Sequence, residues 1–542
     1  MSVLLVFLLA LCVAALLRKV GSREAGLPPG PPTVPILGNV HIFPTEFAHF
    51  KFTEWARKYG GIFSLKVGPS TVVVLTDVAA VKELLDKRSA TTSDRPAIHI
   101  ADRITGGLHM VLARSTSTWK ILRKTSAAIL TAQATAQHLP IQQAEATQLL
   151  YDILRSPQAS PFPFMCQSIR GELVIMLYGK RAPRYDTPEI SGFFNVTHAF
   201  NAILGPGAAP PVDAMPFLKF VPERWAKWKR ECKRIRNLQR TLYFGMMEET
   251  RDRMRRGEGN GCYMEEVVGR EKELGMDDEM TSYFGSALQE TGSETTASYL
   301  QSLILALVAY PEAQKKAHEE IDRVVGEDRL PTLDDLEHMP YIRAMISETH
   351  RFRPVGPLGI PHSTLATEEY QGYIIPKGAT IFVNIYLIID LGGIFHDPAL
   401  FDDPENFIPE RYMLAENGTK PGVDGSDLKA TFPFGFGRRI CPGMHLAHNS
   451  ININAMNLLW AFDFKPDIDA DGNPIMVDTT AYKTGVANAP QPFKCRIAPR
   501  SPEKAKIIER EFLDAADTFA KFEVGLNEED KEYVAKLRAY AG

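Results

Sequence analysis

The 542-residue chain lacks several features that mark common classes of protein. Its six cysteines lie far apart without a C-x-x-C pair, which argues against a disulfide framework and against a structural zinc site. The formal net charge is only −4, so nucleic acid is not an expected partner. No G-x-G-x-x-G segment, internal repeat or low-complexity block is present. We therefore expect one large, cytosol-facing globular body without its own flavin or nicotinamide domain.

Long apolar runs are also absent, apart from residues 3–17 near the N-terminus. As a helix this run would be about 22 Å long, which is short against a hydrocarbon thickness of roughly 30 Å. A cleaved signal peptide is the alternative, but its positive charge would precede the apolar run, whereas Arg18, Lys19 and Arg23 follow it. The positive-inside rule then favours a retained single-pass anchor over residues 1–20, in the endoplasmic reticulum, with the following residues in the cytosol.

The residues after the anchor divide into three segments. Prolines exclude helix from residues 21–40, which are expected to be a stiff linker. Residues 41–500 show mostly helical periods of apolar positions, with short strand-like runs such as the two around Gly68-Pro69. Residues 501–542 form a charged extension with a helical period. The expected fold class is mainly α with small β-sheets, in a single large domain over residues 41–500.

A local basic stretch at residues 225–236 mixes aromatic and cationic side chains. Trp225 and Trp228 stand among six lysines and arginines. A solvated face of a helix would explain this pattern. The alternative is a second contact with an anionic membrane surface.

The most informative stretch is FPFGFGRRICPGMHLAH, residues 432–448, which precedes a helical pattern. A sulfur at a helix N-terminus is favoured as a thiolate, so Cys441 is a candidate axial ligand of a haem iron. Gly437 permits a tight turn, Gly443 lets backbone approach a flat cofactor, and Arg439 can pair with a haem propionate. A lone cysteine is usually a small buried apolar residue, but these co-placed residue types favour ligation.

Together with Phe434, this constellation resembles the cysteine signature of the cytochrome P450 family, the haem-thiolate monooxygenases. The resemblance covers nearly the whole chain, and segments such as NGCYMEE and MNLLWAFDF are similar to fungal members of the O-methylsterigmatocystin oxidoreductase type. It implies the cytochrome P450 fold, with residues 41–500 as the catalytic domain. It also implies heme b as the cofactor, with Cys441 on its iron and Phe434 in its pocket.

A second family motif is the Glu-x-x-Arg pair, Glu348 and Arg351, which lie one helical turn apart. On a surface helix such a pair contributes little to stability. The resemblance implies instead a buried triad with Arg411, which belongs to a later Pro-Glu-Arg segment. This triad is expected to be structural and to support the haem side of the fold.

The apolar helical pattern at residues 277–310 contains TGSETT, residues 291–296, which resembles the oxygen-binding groove of the family. A glycine inside a helix costs about 1 kcal/mol relative to alanine, and room for O2 would be a reason for Gly292. The resemblance implies that Glu294 and Thr295 are catalytic and deliver protons. Without the cysteine motif, the stretch would be interpreted as a bent core helix with an exposed acid.

Further positions match the family, and others depart from it. Trp119 and Arg123, one helical turn apart, match the helix that contacts a haem propionate, and His362 stands where a similar contact is usual. The aromatic-glycine pair that often precedes the tryptophan is replaced by Ser115-Thr116. Residues 387–393 lengthen a usually shorter connection, either as a real loop or as a gene-model artefact.

The resemblance also implies which segments form the substrate pocket: residues 97–112, 195–211, 355–360 and 484–490, with one face of the helix at 277–310. These segments are apolar with few charges, which favours an aromatic, polyketide, terpenoid, stilbene or steroid substrate. The expected setting is fungal secondary metabolism or xenobiotic oxidation. The family reaction uses O2 and NADPH as co-substrates, and this sequence shows no domain that would supply electrons. The resemblance therefore implies a partner protein, NADPH-cytochrome P450 reductase, which would dock near Arg438.

Two alternatives remain open at this point. A haem-thiolate isomerase or dehydratase would keep the cofactor without the oxygen chemistry, although the Glu294–Thr295 pair argues against it. A catalytically inactive haem-binding protein would follow if residues 387–393 disrupt the fold.

Overall fold

The computed structural model describes residues 20–156, 160–184, 186–205, 207–213, 215–385, 394–485 and 487–541. Except for Val20, the predicted anchor over residues 1–20 lies outside the described residues, and so does the unusual stretch at 387–393. Across the described ranges, no helix combines the length and the apolar character that crossing a membrane requires.

Helices dominate the fold. The helices before the central one are α1 (Ala48–Tyr59), α2 (Val78–Val81), α3 (Ser89–Thr92), α4 (His99–Thr105), α5 (Ser117–Ile129), α6 (Ala132–Ala136), α7 (Leu139–Arg155), α8 (Pro161–Tyr178), α9 (Pro188–Leu204), α10 (Lys227–Arg255), α11 (Tyr263–Gly269) and α12 (Glu271–Leu274). The central helix and those after it are α13 (Asp278–Ala309), α14 (Pro311–Val324), α15 (Pro340–Phe352), α16 (Arg411–Leu414), α17 (Met444–Ala461), α18 (Pro502–Glu523) and α19 (Glu528–Ala541). A π-helical segment, Lys82–Lys87, continues α2. Single 3-10 turns lie at Val40–Ile42, Pro216–Phe220, Glu223–Trp225, Leu333–His338, Ile394–His396, Phe432–Phe434 and Gly437–Arg439.

Three small sheets accompany the helices. Their strands are β1 (Ile62–Val67), β2 (Ser70–Leu75), β3 (His362–Ser363), β4 (Glu368–Tyr370), β5 (Tyr373–Ile375), β6 (Thr380–Val383), β7 (Phe462–Ile468), β8 (Pro474–Ile475) and β9 (Cys495–Pro499). The sheet orders are β1-β2-β6-β3, β4-β5 and β8-β7-β9. The antiparallel β1–β2 pair confirms the two strands predicted around Gly68-Pro69. The prediction of a mainly α fold with small sheets is therefore confirmed.

Helix α13 forms the centre of the molecule. Asp277 caps its first turn by accepting a hydrogen bond from the Met280 amide, N···O 2.7 Å. The helix ends at Ala309, because Pro311 lacks an amide hydrogen and instead begins α14. These signals place the observed helix within one residue at each end of the predicted 277–310 pattern. Its neighbours are α8, α10 and α17, the last of which follows the cysteine loop.

The Pro-rich residues 21–40 lie against the first sheet. The Arg23 side chain donates to the Pro28 carbonyl oxygen at 2.8 Å and to the Ser64 carbonyl oxygen at 3.0 Å. The Asn39 amide oxygen accepts a hydrogen bond from the Lys66 backbone amide at 2.9 Å. The segment is thus attached to β1.

The C-terminal extension packs onto the body of the protein. Phe512 of α18 stacks on Tyr151 of α7, with ring centroids 4.0 Å apart and planes at 3°. Phe519 lies under the Arg181 guanidinium at 3.7 Å, and both residues are buried. The extension therefore covers apolar surface of α7 that would otherwise be exposed.

Three acidic side chains lie on α7 and α8, and two of them, Glu145 and Glu172, are buried. Burial raises the pKa of Glu145 to about 8, and it raises those of Asp152 and Glu172 to about 7. The Glu172 carboxyl accepts hydrogen bonds from Gln142 of α7 and Ser450 of α17, each at 2.8 Å. This carboxyl therefore joins the helix after the cysteine loop to the helical core.

These buried carboxyls make stability depend on pH. The pKa of Glu145 is about 8 in the folded chain, against about 4.3 for an unfolded glutamate. Between these two values the unfolded chain binds fewer protons, so stability falls as pH rises. We expect Glu145→Gln to flatten this fall between about pH 4.3 and pH 8, measured by urea unfolding across that range.

Glu416→Gln, at an exposed position, is the matched control and should leave the pH dependence of unfolding unchanged. Parallel stability curves for Glu145→Gln and the unsubstituted protein would contradict this prediction.

Candidate active site

The loop before α17 is closed by a backbone hydrogen bond and has a tight turn at Gly437. The Cys441 amide donates to the Phe434 carbonyl, N···O 2.8 Å, and closes the loop. Gly437 has φ +50°, and a Cβ at that position would lie 2.1 Å from the Leu85 carbonyl oxygen. The Gly437 amide donates to the Asp86 carboxylate at 2.8 Å. The tight turn expected at Gly437 is present, and it docks the loop on the π-helical segment.

Cys441 stands two residues before Gly443, the N-cap of α17. Burial raises the pKa of its thiol, whereas the Gly443 amide and the charge of Arg123 lower it. The effect of burial is the largest, so the pKa of the Cys441 thiol lies above its ordinary value. The helix N-terminus alone therefore does not produce the expected thiolate. A coordinating metal deprotonates a thiol outright, and the thiolate state would then depend on that metal.

Arg439 is buried and held by three contacts. Its Nε donates to the Ser93 carbonyl at 2.8 Å and one Nη donates to the Ala113 carbonyl at 2.9 Å. Its guanidinium lies 3.8 Å from the centroid of the Trp119 ring. The other Nη is buried and has no hydrogen-bond partner among the described residues. The site therefore contains a fixed cation with one unsatisfied donor.

Two more arginines act on this cation. Burial lowers the pKa of Arg439 to about 10, Asp94 opposes the shift, and the charge of Arg123 adds to it. Arg95 is also buried, and burial together with the charge of Arg439 lowers its pKa. Arg95 donates to the carbonyls of Ile360 and Pro361 at 2.7 and 2.9 Å. We call Arg95, Arg123 and Arg439 the cation cluster.

Arg95 was not predicted as a site residue. It lies in the sequence SDRP, well before the helix that carries Trp119 and Arg123, and no motif considered above includes it. Only the folded chain brings this turn beside Arg439. His362, which was predicted as a propionate contact, lies close to the cluster, as shown by the charges of Arg95 and Arg439, which contribute to lowering its pKa.

One ring nitrogen of His362 already makes a hydrogen bond within the chain. Its Nδ1 lies 3.0 Å from the Thr92 carbonyl oxygen, which can only accept, so Nδ1 carries the hydrogen. Burial is the main cause that lowers the pKa of His362 to about 3. The neutral ring leaves Nε2 as an acceptor, and a contact between this nitrogen and a carboxylate would require a second proton.

Helix α13 has one partly open stretch. From residue 281 to residue 308 it is buried except at 290–292, 294 and 295. Thr295 is exposed, and its hydroxyl donates to the Thr291 carbonyl at 2.9 Å. Burial raises the pKa of Glu294, against the charge of Arg170 and with that of Glu290. The two predicted proton-delivery residues therefore lie where the central helix faces open space.

Gly292 lies where α13 packs closely on α8. A Cβ at this position would lie 2.8 Å from a terminal methyl carbon of Leu173 on α8. The glycine therefore allows α8 and α13 to approach closely, and its expected role in leaving room for O2 stays a prediction.

Glu348, Arg351 and Arg411 meet in the interior. Arg351 is fully buried and pairs with the Glu348 carboxylate through two hydrogen bonds of 2.8 Å. Arg411 Nε lies 3.2 Å from the same carboxylate. Arg351 also donates to the carbonyls of Phe395 and Pro404, each at 2.8 Å. The three predicted residues are thus brought together around an irregular segment that leads towards the cysteine loop.

Both departures from the family pattern have ordered flanks. Thr116 caps α5 by accepting from the Trp119 amide at 3.3 Å, and the Ser115 amide donates to Asp94 at 2.6 Å. On either side of residues 386–393, the Phe395 amide donates to the Ile385 carbonyl at 3.2 Å. The chain that enters and leaves each unusual stretch is therefore fixed to the core.

The chain is similar to a known protein family, to named fungal proteins and to a solved structure. The family model described as Cytochrome P450 matches residues 28–496. A cytochrome P450 monooxygenase from Armillaria gallica is 44% identical over 510 residues, which are 93% of this chain and 95% of that protein. One from Arthrobotrys oligospora is 38% identical, covering 94% of this chain and 96% of that protein. A zebra fish cytochrome P450 solved with progesterone superposes with a TM-score of 0.69 at 22% identity, covering 83% of this chain and 99% of that one.

The residues of the site fit a haem. The cation cluster and the unsatisfied Nη of Arg439 suit the carboxylates of two propionates. A Cβ on Gly443 would meet the Cys441 sulfur at 4.0 Å and no closer atom of the described chain, which leaves room for a flat group beside the sulfur. Within the described residues, no group of three or more His, Cys, Asp or Glu side chains is placed to hold a bare metal ion. A prosthetic group that brings its own metal needs only the one thiolate.

We expect Gly437→Ala to disrupt this loop. The substitution imposes a left-handed backbone cost of about 1–2 kcal/mol, and the overlap with the Leu85 carbonyl adds to it. The variant should unfold more easily in urea and carry less haem per chain, measured by absorbance.

Gly378→Ala separates the two costs, because Gly378 also has a positive φ, +81°, but nothing lies within 4 Å of its Cβ position. An equal loss of stability and of haem in both variants would argue against the steric account of Gly437.

Proposed function

This chain belongs to the cytochrome P450 family, and on that premise we propose that it inserts one oxygen atom of O2 into an apolar small molecule. Its relatives from Armillaria gallica and Arthrobotrys oligospora are cytochrome P450 monooxygenases. The observation that carries the proposal is Cys441 in a closed loop beside a cation cluster with an unsatisfied arginine donor. Heme b, when bound through the Cys441 thiolate, would supply the activation of O2.

Each residue of the site has a task in holding this group. Cys441 would provide the axial sulfur, while Arg123 and Arg439 would neutralise the propionates with Trp119 packed on the Arg439 guanidinium. Phe434 lies 4.7 Å from the ring of His448 and belongs to the wall of the same loop. The charge of Arg439 lowers the pKa of Arg95, and the charge of Arg123 lowers the pKa of Arg439. A bound dianionic group would relieve this repulsion between the arginines.

Proton delivery would fall to Glu294 and Thr295. The raised pKa of Glu294 favours a carboxyl that retains a proton closer to neutral pH than an exposed glutamate does. The Thr295 hydroxyl is exposed and is oriented by its bond to the Thr291 carbonyl. This pair argues against the isomerase or dehydratase alternative, which needs no proton delivery of this kind.

The proposed substrate is an apolar aromatic, polyketide, terpenoid, stilbene or steroid compound. The segments expected to form the pocket contribute many buried apolar side chains, among them Ile100, Ile104, Phe200, Phe284 and Leu288. The proposed setting is fungal secondary metabolism or oxidation of foreign compounds, and the fungal relatives support the former. NADPH would supply electrons through NADPH-cytochrome P450 reductase, and Arg438 is exposed on the cysteine loop for such docking.

We also propose that the protein associates with the endoplasmic reticulum membrane through residues 1–20 and through a second surface. Phe217, Phe220 and Trp225 are 66%, 85% and 70% exposed, beside the basic stretch of α10. Trp228 is buried instead, so only part of the aromatic content of this stretch is available. Exposed aromatic rings next to lysines and arginines suit a membrane interface better than a solvated helix face alone.

The absorption difference spectrum of the reduced protein with carbon monoxide tests the haem-thiolate assignment. The long-wavelength Soret band of thiolate-bound haem is expected in the unsubstituted protein and should be lost in Cys441→Ala. Cys495→Ala, on β9, should retain the band. A shorter-wavelength band in the unsubstituted protein, or no haem, would refute the proposal and would revive the inactive-protein alternative.

Glu294→Gln and Thr295→Ala should lower the product formed per NADPH oxidised. We expect a loss of about tenfold or more, as for removal of a general acid, with the carbon monoxide band unchanged. Thr281→Ala, a remote position on the same helix, is the control and should keep the normal ratio. Normal coupling in both site variants would exclude this role.

A further inference from the structure

A histidine–glutamate pair lies within the otherwise apolar pocket region. His109 Nε2 is 3.2 Å from Glu290 Oε2, and each side chain is only 10% exposed. A carboxylate accepts hydrogen bonds only, so Nε2 carries the hydrogen. The pair has no place in the cofactor site or in the proton-delivery pair described above.

The pair joins three segments expected to form the substrate pocket. His109 lies in the loop between α4 and α5, and its ring stacks on Phe200 of α9, with centroids 5.7 Å apart and planes at 19°. Glu290 lies on α13 at the start of the partly open stretch, one helical turn before Glu294 and on the same face. A group bound at Glu290 would therefore lie close to the residues proposed to deliver protons.

The surroundings of the pair do not satisfy its hydrogen-bonding capacity. No hydrogen bond from the described chain reaches the second oxygen of Glu290, and Nδ1 of His109 is buried without a partner. The hydroxyl of Tyr243, close enough for the charge of Glu290 to act on it, has the Gln239 side chain as a hydrogen-bond partner and so is not free to complete the pair. A buried ring nitrogen without a partner, such as His109 Nδ1, costs free energy unless a donor completes it.

We propose that Glu290 is a substrate-positioning residue whose carboxylate, held by His109, accepts a hydrogen bond from a hydroxyl group of an otherwise apolar substrate. This inference rests on the proposed function and narrows its substrate class to phenols and alcohols. Apolar contacts alone leave a flat substrate free to slide and turn. One hydrogen bond at a fixed acceptor holds one end of the molecule in place, and so selects the carbon that is oxidised.

The test compares matched pairs of compounds in which a methyl group replaces the one hydroxyl hydrogen. Estrone and its 3-methyl ether, and 4-hydroxystilbene and 4-methoxystilbene, are titrated into the full-length, haem-loaded protein, and binding is followed by the shift of the Soret band. We expect the hydroxyl compound of at least one pair to bind about tenfold more tightly than its ether, as for a hydrogen bond to a charged group. Glu290→Leu should abolish this preference, and His109→Phe, which keeps the ring on Phe200, should reduce it.

Glu279→Leu is the matched control, because it removes a carboxylate from the same helix about 16 Å away and should keep the preference. Equal binding of the members of each pair, or an unchanged preference in Glu290→Leu, would overturn the inference. Equal weakening of both members in Glu290→Leu would show a merely structural pair, and failure of both hydroxyl compounds to bind would also count against the inference. The titrations use protein that shows the long-wavelength carbon monoxide band, so these outcomes leave the haem-thiolate assignment intact, whereas absence of the band refutes both.

Discussion

The buried pair of Glu348 and Arg351 organises the part of the chain that has the least regular structure. Between β6 and the cysteine loop, the described chain is built from turns and short helical segments, and the carbonyls of Phe395 and Pro404 accept hydrogen bonds from Arg351. Arg351 donates to carbonyls of this segment, and Glu348 accepts from the Ile408 amide at 2.8 Å and from Arg411. Two opposite charges thus replace the hydrogen bonds that a helix or a sheet would supply. The position of the cysteine loop depends on this arrangement, since Phe395 next to the pair contacts Phe432 at a ring distance of 6.4 Å.

The cofactor site differs from this interior ion pair because its buried charges are mostly of one sign. The interior pair is balanced, whereas Arg95, Arg123 and Arg439 lie together. Asp94 opposes the lowering of the pKa of Arg439, and Cys441 opposes that of Arg123, but Asp94 is already bonded to Arg114 and Ser115. The folded chain therefore stores repulsion that an anionic group would remove. Cofactor binding and folding are linked by this repulsion, because the group that relieves it stabilises only the folded state.

The parts of the structure that could be predicted from the sequence are those determined by residues close together in the chain. The cysteine loop was predictable because Gly437 and Cys441 act within a few residues of each other, and the central helix because Asp277 and Pro311 mark its ends. Arg95 and the His109–Glu290 pair were not predicted, since their partners are distant in sequence and meet only through the packing of helices. The contact of Gly292 with Leu173 was not predicted for the same reason, since Leu173 belongs to another helix. The roles assigned to the site residues remain proposals, and the folded chain brings Trp119, Arg123 and His362 close to Arg439.

The packing of α18 on α7 has a consequence for the order of synthesis. Tyr151 leaves the ribosome several hundred residues before Phe512, the ring that covers it. Until then, the face of α7 that α18 covers lacks this cover, although α8 can already pack on another face, and contacts so far apart in sequence form late. A nascent chain that already carries its cysteine loop would still present this bare helical surface to chaperones, and release of the final helices would complete its burial.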